Sequence, residues 1–155
     1  MCESRRRRTA GGKFHVVEAS VRINCGPFVL GAALEWGNAP RTCAAFMRML
    51  PLQARLIQTR WSGEAAWVPL GDVQLGLGFE NPTSYPAAGE LLLYPGGGLS
   101  EVEILVAYGA TRFASKAGQL AGNHFATIVQ GREQLAEIGR LVLFKGAQDI
   151  RFDLG

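Results

Sequence analysis

The sequence predicts a mainly β fold: a closed barrel of short strands with two capping α-helices, at about residues 40–50 and 131–143. Three observations lead there. Short apolar stretches alternate with turn residues along the whole chain, and 20 glycines and seven prolines are spread through its 155 residues. Only two stretches carry helical periodicity. Many strands with so few helices to cover them leave sheet edges exposed, and closing the sheet removes those edges most economically. At 48% apolar content the chain is long enough to bury one sizeable core.

Taken in order, His15 to Ile23 alternates through Val17, Ala19, Val21 and Ile23 and reads as a first strand, broken by Pro27. Phe28 to Glu35 returns as its hairpin partner. The first helix opens at Pro40, whose missing N–H costs nothing at a first helical position. Asn38 or Thr42 supplies a side-chain oxygen for the first turn. Cys43, Phe46, Met47 and Leu50 make one apolar stripe, with Arg41 and Arg48 off it, and Pro51 ends the helix. Gln53 to Gln58 is a third strand and Ala65 to Pro69 a fourth. Leu70 to Pro86 is loop-rich and holds at most short strands. Gly89 to Tyr94 is an unbroken apolar run, which predicts burial on both faces. Glu103 to Tyr108 is the next strand, continuing past Gly109 through a bend or bulge toward Phe113. Phe125 to Val129 follows. The second helix, Gly131 to Leu143, places Leu135, Ile138 and Val142 on one face, and Ala147 to Leu154 closes the chain as a strand.

The formal charge of +3 is local. Four of the 16 basic residues (Arg5–Arg8) and one of the 13 acidic residues (Glu3) lie in residues 1–8, leaving 12 against 12. Residues 1–12 are therefore expected to be a disordered basic arm, and residues 13–155 a single neutral domain without a specific nucleic-acid face. Cys2, Cys25 and Cys43 are odd in number, widely spaced and free of any C-x-x-C, which fits a reducing cytoplasm rather than disulfides or structural zinc. No apolar run approaches membrane-spanning length, so no membrane partner is expected. Two histidines over a hundred residues apart give no metal signature, and no cofactor motif is present.

The strand, the A-P-R-T entry and the F-x-x-x-L stripe of the first helix resemble the first strand-to-helix unit of cyclophilins. Gly122-Asn123-His124-Phe125, the strand after it, Gly131, the second helix and the closing strand resemble the cyclophilin end. Together these cover about half the chain. The resemblance implies a cyclophilin-like barrel and carries two residues of the proline-binding face onto His124 and Leu120, while the aromatic position holds Gln119. The middle departs: the catalytic arginine's F-H-R run and the F-M-x-Q-G-G pocket strand are absent, although Arg60 stands near the arginine's place. Proline isomerisation is accordingly the least favoured reading. From residue 40 onward the chain is most similar to the uncharacterised bacterial cyclophilin-like proteins grouped as DUF3830, through W-S-G-E-A, E-N-P-T-S-Y-P and Y-G-A-T-R-F-A-S-K-A-G-Q-L-A-G-N-H-F. A more distant cyclophilin-like domain occurs in subunits of amide-bond hydrolases acting on small urea- or lactam-like compounds, an analogy of fold alone.

Several polar residues stand where a scaffold needs none. As a strand, Arg60, Ser62 and Glu64 share one face and Trp61 the other. Arg112 and Lys116 flank a loop suited to an oxyanion. His124 is the residue type best suited to give or take a proton at physiological pH. These residues suggest one cleft, with His124 or Glu64 as the proton-transfer group and Arg112 as the oxyanion partner. Arg60, Trp61, Tyr94, Lys116, Leu120 and Asn123 complete it as ligand-binding residues. Glu90 and Glu103 are a further pair that could oppose each other on neighbouring strands. The first functional expectation is binding of a small polar or anionic amide-type metabolite in a barrel-side cleft, with or without its hydrolysis. The alternative is a non-catalytic subunit or homo-oligomer built on interaction surfaces.

Overall fold

A computed structural model describes residues 18–155. The basic arm, Cys2 and His15 lie outside the described residues. The strands are β1 (Val21–Cys25), β2 (Phe28–Leu34), β3 (Leu52–Gln58), β4 (Gly63–Gly71), β5 (Pro82–Thr83), β6 (Glu90–Tyr94), β7 (Val102–Thr111), β8 (Ala114–Ser115), β9 (Gly118–Gln119), β10 (Gly122–Gln130) and β11 (Gln148–Leu154). Helix α1 is Pro40–Arg48 and α2 is Leu135–Lys145, and single 3-10 turns occupy Arg60–Ser62 and Arg132–Gln134.

Among the described residues, eight strands close an antiparallel barrel in the order β2-β1-β11-β3-β4-β7-β6-β10, sealed by pairing of β10 with β2. Strand β5 adds two residues beside β10, and β8–β9 is a separate hairpin. The interior is filled by side chains such as Ile23, Leu56, Val68, Ile104, Phe125 and Phe152.

Helix α1 plugs one end of the barrel. Phe46 is fully buried, with its ring centroid 4.8 Å from Phe125 and edge-on to Phe152 at 5.6 Å. The expected local cap is not used: no side chain adjoining the helix start caps it. The carboxylate of Glu80, reaching in from the long loop, instead accepts the N–H groups of Arg41 and Thr42 and the Thr42 hydroxyl. An acidic group at a helix N-terminus satisfies donors that have no partner within the helix. These bonds hold the carboxyl of Glu80 below its usual range against the opposing cost of desolvation.

Helix α2 covers the other end, burying Leu135, Ile138 and Val142 as the periodicity predicts. Its glycine is explained by a neighbour. A Cβ at Gly139 would stand 2.3 Å from the Tyr108 ring, so the ring packs directly on helix backbone. Gly139→Ala gains about 1 kcal/mol of helix propensity. The displaced ring costs more, about 1–3 kcal/mol, and loses the 2.7 Å bond from the Tyr108 hydroxyl to Gln58. A net fall in melting temperature is expected; a rise would show that the ring does not rest there.

Strand β6 is dry on both sides, as its unbroken apolar run implies. Leu91 and Leu93 face the barrel interior, whereas Leu92 and Tyr94 join Ala65, Leu105, Phe113 and Leu120 in a second cluster on the outer wall. The segment from Arg112 to Ala121, including the β8–β9 hairpin, forms the cover of that cluster. Strand β7 runs unbroken through Gly109, and its register with β4 slips between Ala107 and Thr111, which locates the expected bulge.

Candidate functional site

The polar residues singled out in the sequence are divided among separate places rather than gathered in one cleft. The division starts at Arg60–Ser62. This stretch is a 3-10 turn, not a strand, so strict alternation does not apply. Ser62 turns inward and exchanges hydrogen bonds with the backbone of Ala114, both at 3.1 Å. Arg60 and Trp61 then line different cavities.

Arg60 and Glu64 do meet around one cavity of about 320 Å³, with Gln58, Tyr108 and α2 residues Gly139 and Arg140. They form no ion pair with each other among the described residues. Glu64 accepts the N–H of Ala110 at 3.0 Å, a donor left over by the β7 bulge, and its side chain occupies the space that a Cβ at Gly109 would need. Its carboxylate therefore has structural work in the barrel wall. Burial raises the Tyr108 phenol above its usual range, opposed by its bond to Gln58.

His124 lies two strands round the barrel from β7, on β10, and faces no charged residue of the expected set. Its Nε2 is 2.9 Å from Thr127 Oγ1, whose own proton goes to Glu35 at 2.8 Å. A hydroxyl has one proton to give, so His124 Nε2 must be the donor and Thr127 the acceptor. Glu35 is 3.8 Å from the same ring nitrogen. Arg112 is spent on Gln119, donating from its Nε and a terminal nitrogen at 3.1 and 2.9 Å. Asn123 is fully buried. It bridges Glu80 N–H, Thr42 Oγ1 and the Gly78 carbonyl, fastening the long loop to α1. Tyr94 and Leu120 are buried in the outer cluster, where Tyr94 meets Phe113 edge-on. The expected wall of Tyr94 beside Trp61 is thus not formed. Nor is a Glu90–Glu103 pair, since Glu103 stands opposite Tyr94 and Glu90 opposite Thr127.

Trp61 and Lys116 remain together, and around them is the pocket with the most distinctive chemistry. It encloses about 320 Å³ on the outer wall of β4–β7 and is lined by Trp61, Trp67, Leu99, Ser100, Glu103 and the Ser115–Ala117 turn. Lys116 Nζ lies 5.6 Å from the centre of the Trp61 ring, within cation–π range. Trp67 and Glu103 are diagonal neighbours on the outer face, since Trp67 pairs with Leu105 and Pro69 with Glu103. The indole N–H of Trp67 is buried and has no acceptor among the described residues. Glu103, only 3% exposed, accepts the Ser100 hydroxyl at 2.5 Å. Burial pushes its carboxyl up to about 7, helped by the charge of Glu101 and opposed by the Ser100 bond.

Trp67, Ser100 and Glu103 were not assigned to a site from sequence. The available signal was Glu103 itself, one carboxylate inside the apolar run Val102-Glu103-Ile104-Leu105. A charge placed among strand residues of a covered sheet face needs a reason.

The fold defined by this closed barrel with a helix at each end is cyclophilin-like, carrying a pocket on its outer wall rather than inside. The family described as a protein of unknown function, DUF3830, matches residues 21–154, and the chain belongs to it. No curated protein matches the sequence. The structure of McbB in complex with tryptophan is similar in fold, with a TM-score of 0.66 and 16% identity. The match covers 86% of this chain but 44% of McbB, so the chain spans less than half that protein's length. The solution structure of the hypothetical protein AF2241 from Archaeoglobus fulgidus gives a TM-score of 0.59 at 17% identity, covering 90% of this chain and 96% of that one. No helix among the described residues is long and apolar enough to cross a membrane.

Proposed function

We propose that the protein binds a small amide-type metabolite in the pocket between Trp61 and Trp67. The observation that carries this reading is the buried Trp67 N–H without an acceptor. An orphaned buried donor costs about 1–3 kcal/mol, and a ligand carbonyl that the Trp67 side chain shifts to meet removes that cost. The indoles supply flat apolar walls, and Glu103 supplies a carboxyl able to take the amide N–H once ionised. Lys116 adds a positive edge for ligands that also carry a carboxylate. A cytoplasmic setting agrees with the free, buried thiols of Cys25 and Cys43, both pushed up to about 11 by burial and so held as inert thiols.

A thermal-shift screen of lactams, ureas and small carboxylates is expected to yield a stabilising compound that also quenches tryptophan fluorescence. Trp67→Phe keeps an aromatic wall and removes the donor, so affinity should fall by about 1–2 kcal/mol. Unchanged affinity in that variant, or a screen without a stabiliser, overturns the reading.

A further inference from the structure

Ser100, on the lip before β7, and Glu103, within β7, both line the pocket between Trp61 and Trp67. Gly96, Gly97 and Gly98 all take positive φ in the turn that returns the chain from β6 to β7. The Ser100 hydroxyl is 2.5 Å from Glu103 Oε2, and among the described residues it is the serine whose proton goes to a carboxylate. Ser62 gives its proton to the Ala114 carbonyl, and Ser115 accepts the N–H of Ala117. Glu103 is buried, and no cation pairs with it among the described residues. A buried carboxylate without a paired cation holds a proton more tightly than one in water. Burial raises this one to about 7, where a general base serves best at neutral pH. The other titratable groups about it are Glu101 on the lip, Tyr94 opposite on β6 and Lys116 on the β8–β9 turn.

We propose that Ser100 is a nucleophile, activated by Glu103, that accepts the acyl group of an amide bound between the two indoles. The identity of the acyl donor rests on the binding reading above; the nucleophile and its base rest on their contact and on the pocket they share. Ionised Glu103 takes the hydroxyl proton as Ser100 Oγ forms a bond to the carbonyl carbon. The C–N bond then breaks, and the nitrogen leaves as an amine with the proton that Glu103 held. Ser100 bonds Oε2, so Oε1 is left to face that nitrogen. Water cleaves the acyl-serine ester with Glu103 again taking a proton, which frees the carboxylic acid and restores Ser100. The Trp67 N–H and Lys116 are the pocket's donors for the carbonyl oxygen as negative charge develops on it.

Phenylmethylsulfonyl fluoride tests the nucleophile with no knowledge of the ligand, since an activated serine oxygen displaces its fluoride and becomes sulfonylated. Incubation with the full chain should give a single adduct by intact-mass spectrometry, mapped to Ser100 in the digested protein. The labelling rate should rise as pH passes through about 7. Glu103→Gln keeps an acceptor for Ser100 but has no base, so it should label about 100-fold more slowly or worse, with the circular dichroism of the parent. Ser100→Ala should take no label. An unlabelled parent, a label on Ser115 or elsewhere, a rate indifferent to pH, or equal labelling of Glu103→Gln each overturns the proposal. Thermal shift of the parent separates this failure from that of the binding reading. A protein stabilised by an amide yet unlabelled keeps its ligand and loses its nucleophile, and a labelled Ser100 without a stabilising amide shows the reverse.

Discussion

Phe46→Ala is expected to lower the stability of the fold by about 3–5 kcal/mol, as removal of a buried aromatic side chain does. Phe46 is 1% exposed and sits between the Phe125 and Phe152 rings, so the barrel end cannot collapse onto the space it leaves. Arg48, on the same helix but off the stripe, should change stability by less than about 0.5 kcal/mol when replaced by alanine. Urea unfolding of the two variants checks the contrast. Equal losses would mean that α1 presents a different face to the barrel.

Glu103→Gln should abolish a pH dependence of stability on the order of 3 kcal/mol. In the folded protein the carboxyl titrates at about 7, against 4.5 for an ordinary glutamate. The folded state therefore binds the proton more tightly than the unfolded chain. Its stabilising contribution is complete below pH 4.5 and is lost as pH rises through 7. Glutamine keeps an acceptor for Ser100 and carries no charge to bury, so the variant should be level where the parent declines. Denaturant midpoints at pH 5 and pH 8 make the comparison. Parallel profiles for parent and variant would show that Glu103 is not ionising in a dry pocket. The same titration bears on ligand choice: an amide N–H is best received above neutrality, where the carboxylate is available as an acceptor only.

The barrel was legible because its signals are local. Gly89 to Tyr94 announced two-sided burial through an unbroken apolar run, and Leu135, Ile138 and Val142 announced the inner face of α2 through their spacing. The helix cap was not legible, since Glu80 reaches α1 from 38 residues away in the chain. The candidate site fared worse for the same reason. A single 3-10 turn separates Arg60 from Trp61, and sequence alternation has no means of registering that change of direction. His124 attracted attention as a residue type, but its surroundings depend on Thr127 and on Glu35, which is 92 residues from Thr127. Trp67 looked like ordinary strand content until its N–H proved to lack a partner.

The outer cluster has a consequence for how such a protein can change. The barrel interior is filled by buried side chains, while the pocket is assembled from the crossover after β7 and the lip around Ser100, both laid against the outside wall. Those segments can be lengthened, shortened or rewritten without disturbing a single interior side chain. On the binding role proposed above, ligand preference is free to drift among relatives on a nearly constant barrel, and transplanting residues 112–121 together with 96–101 between two of them should carry the preference along.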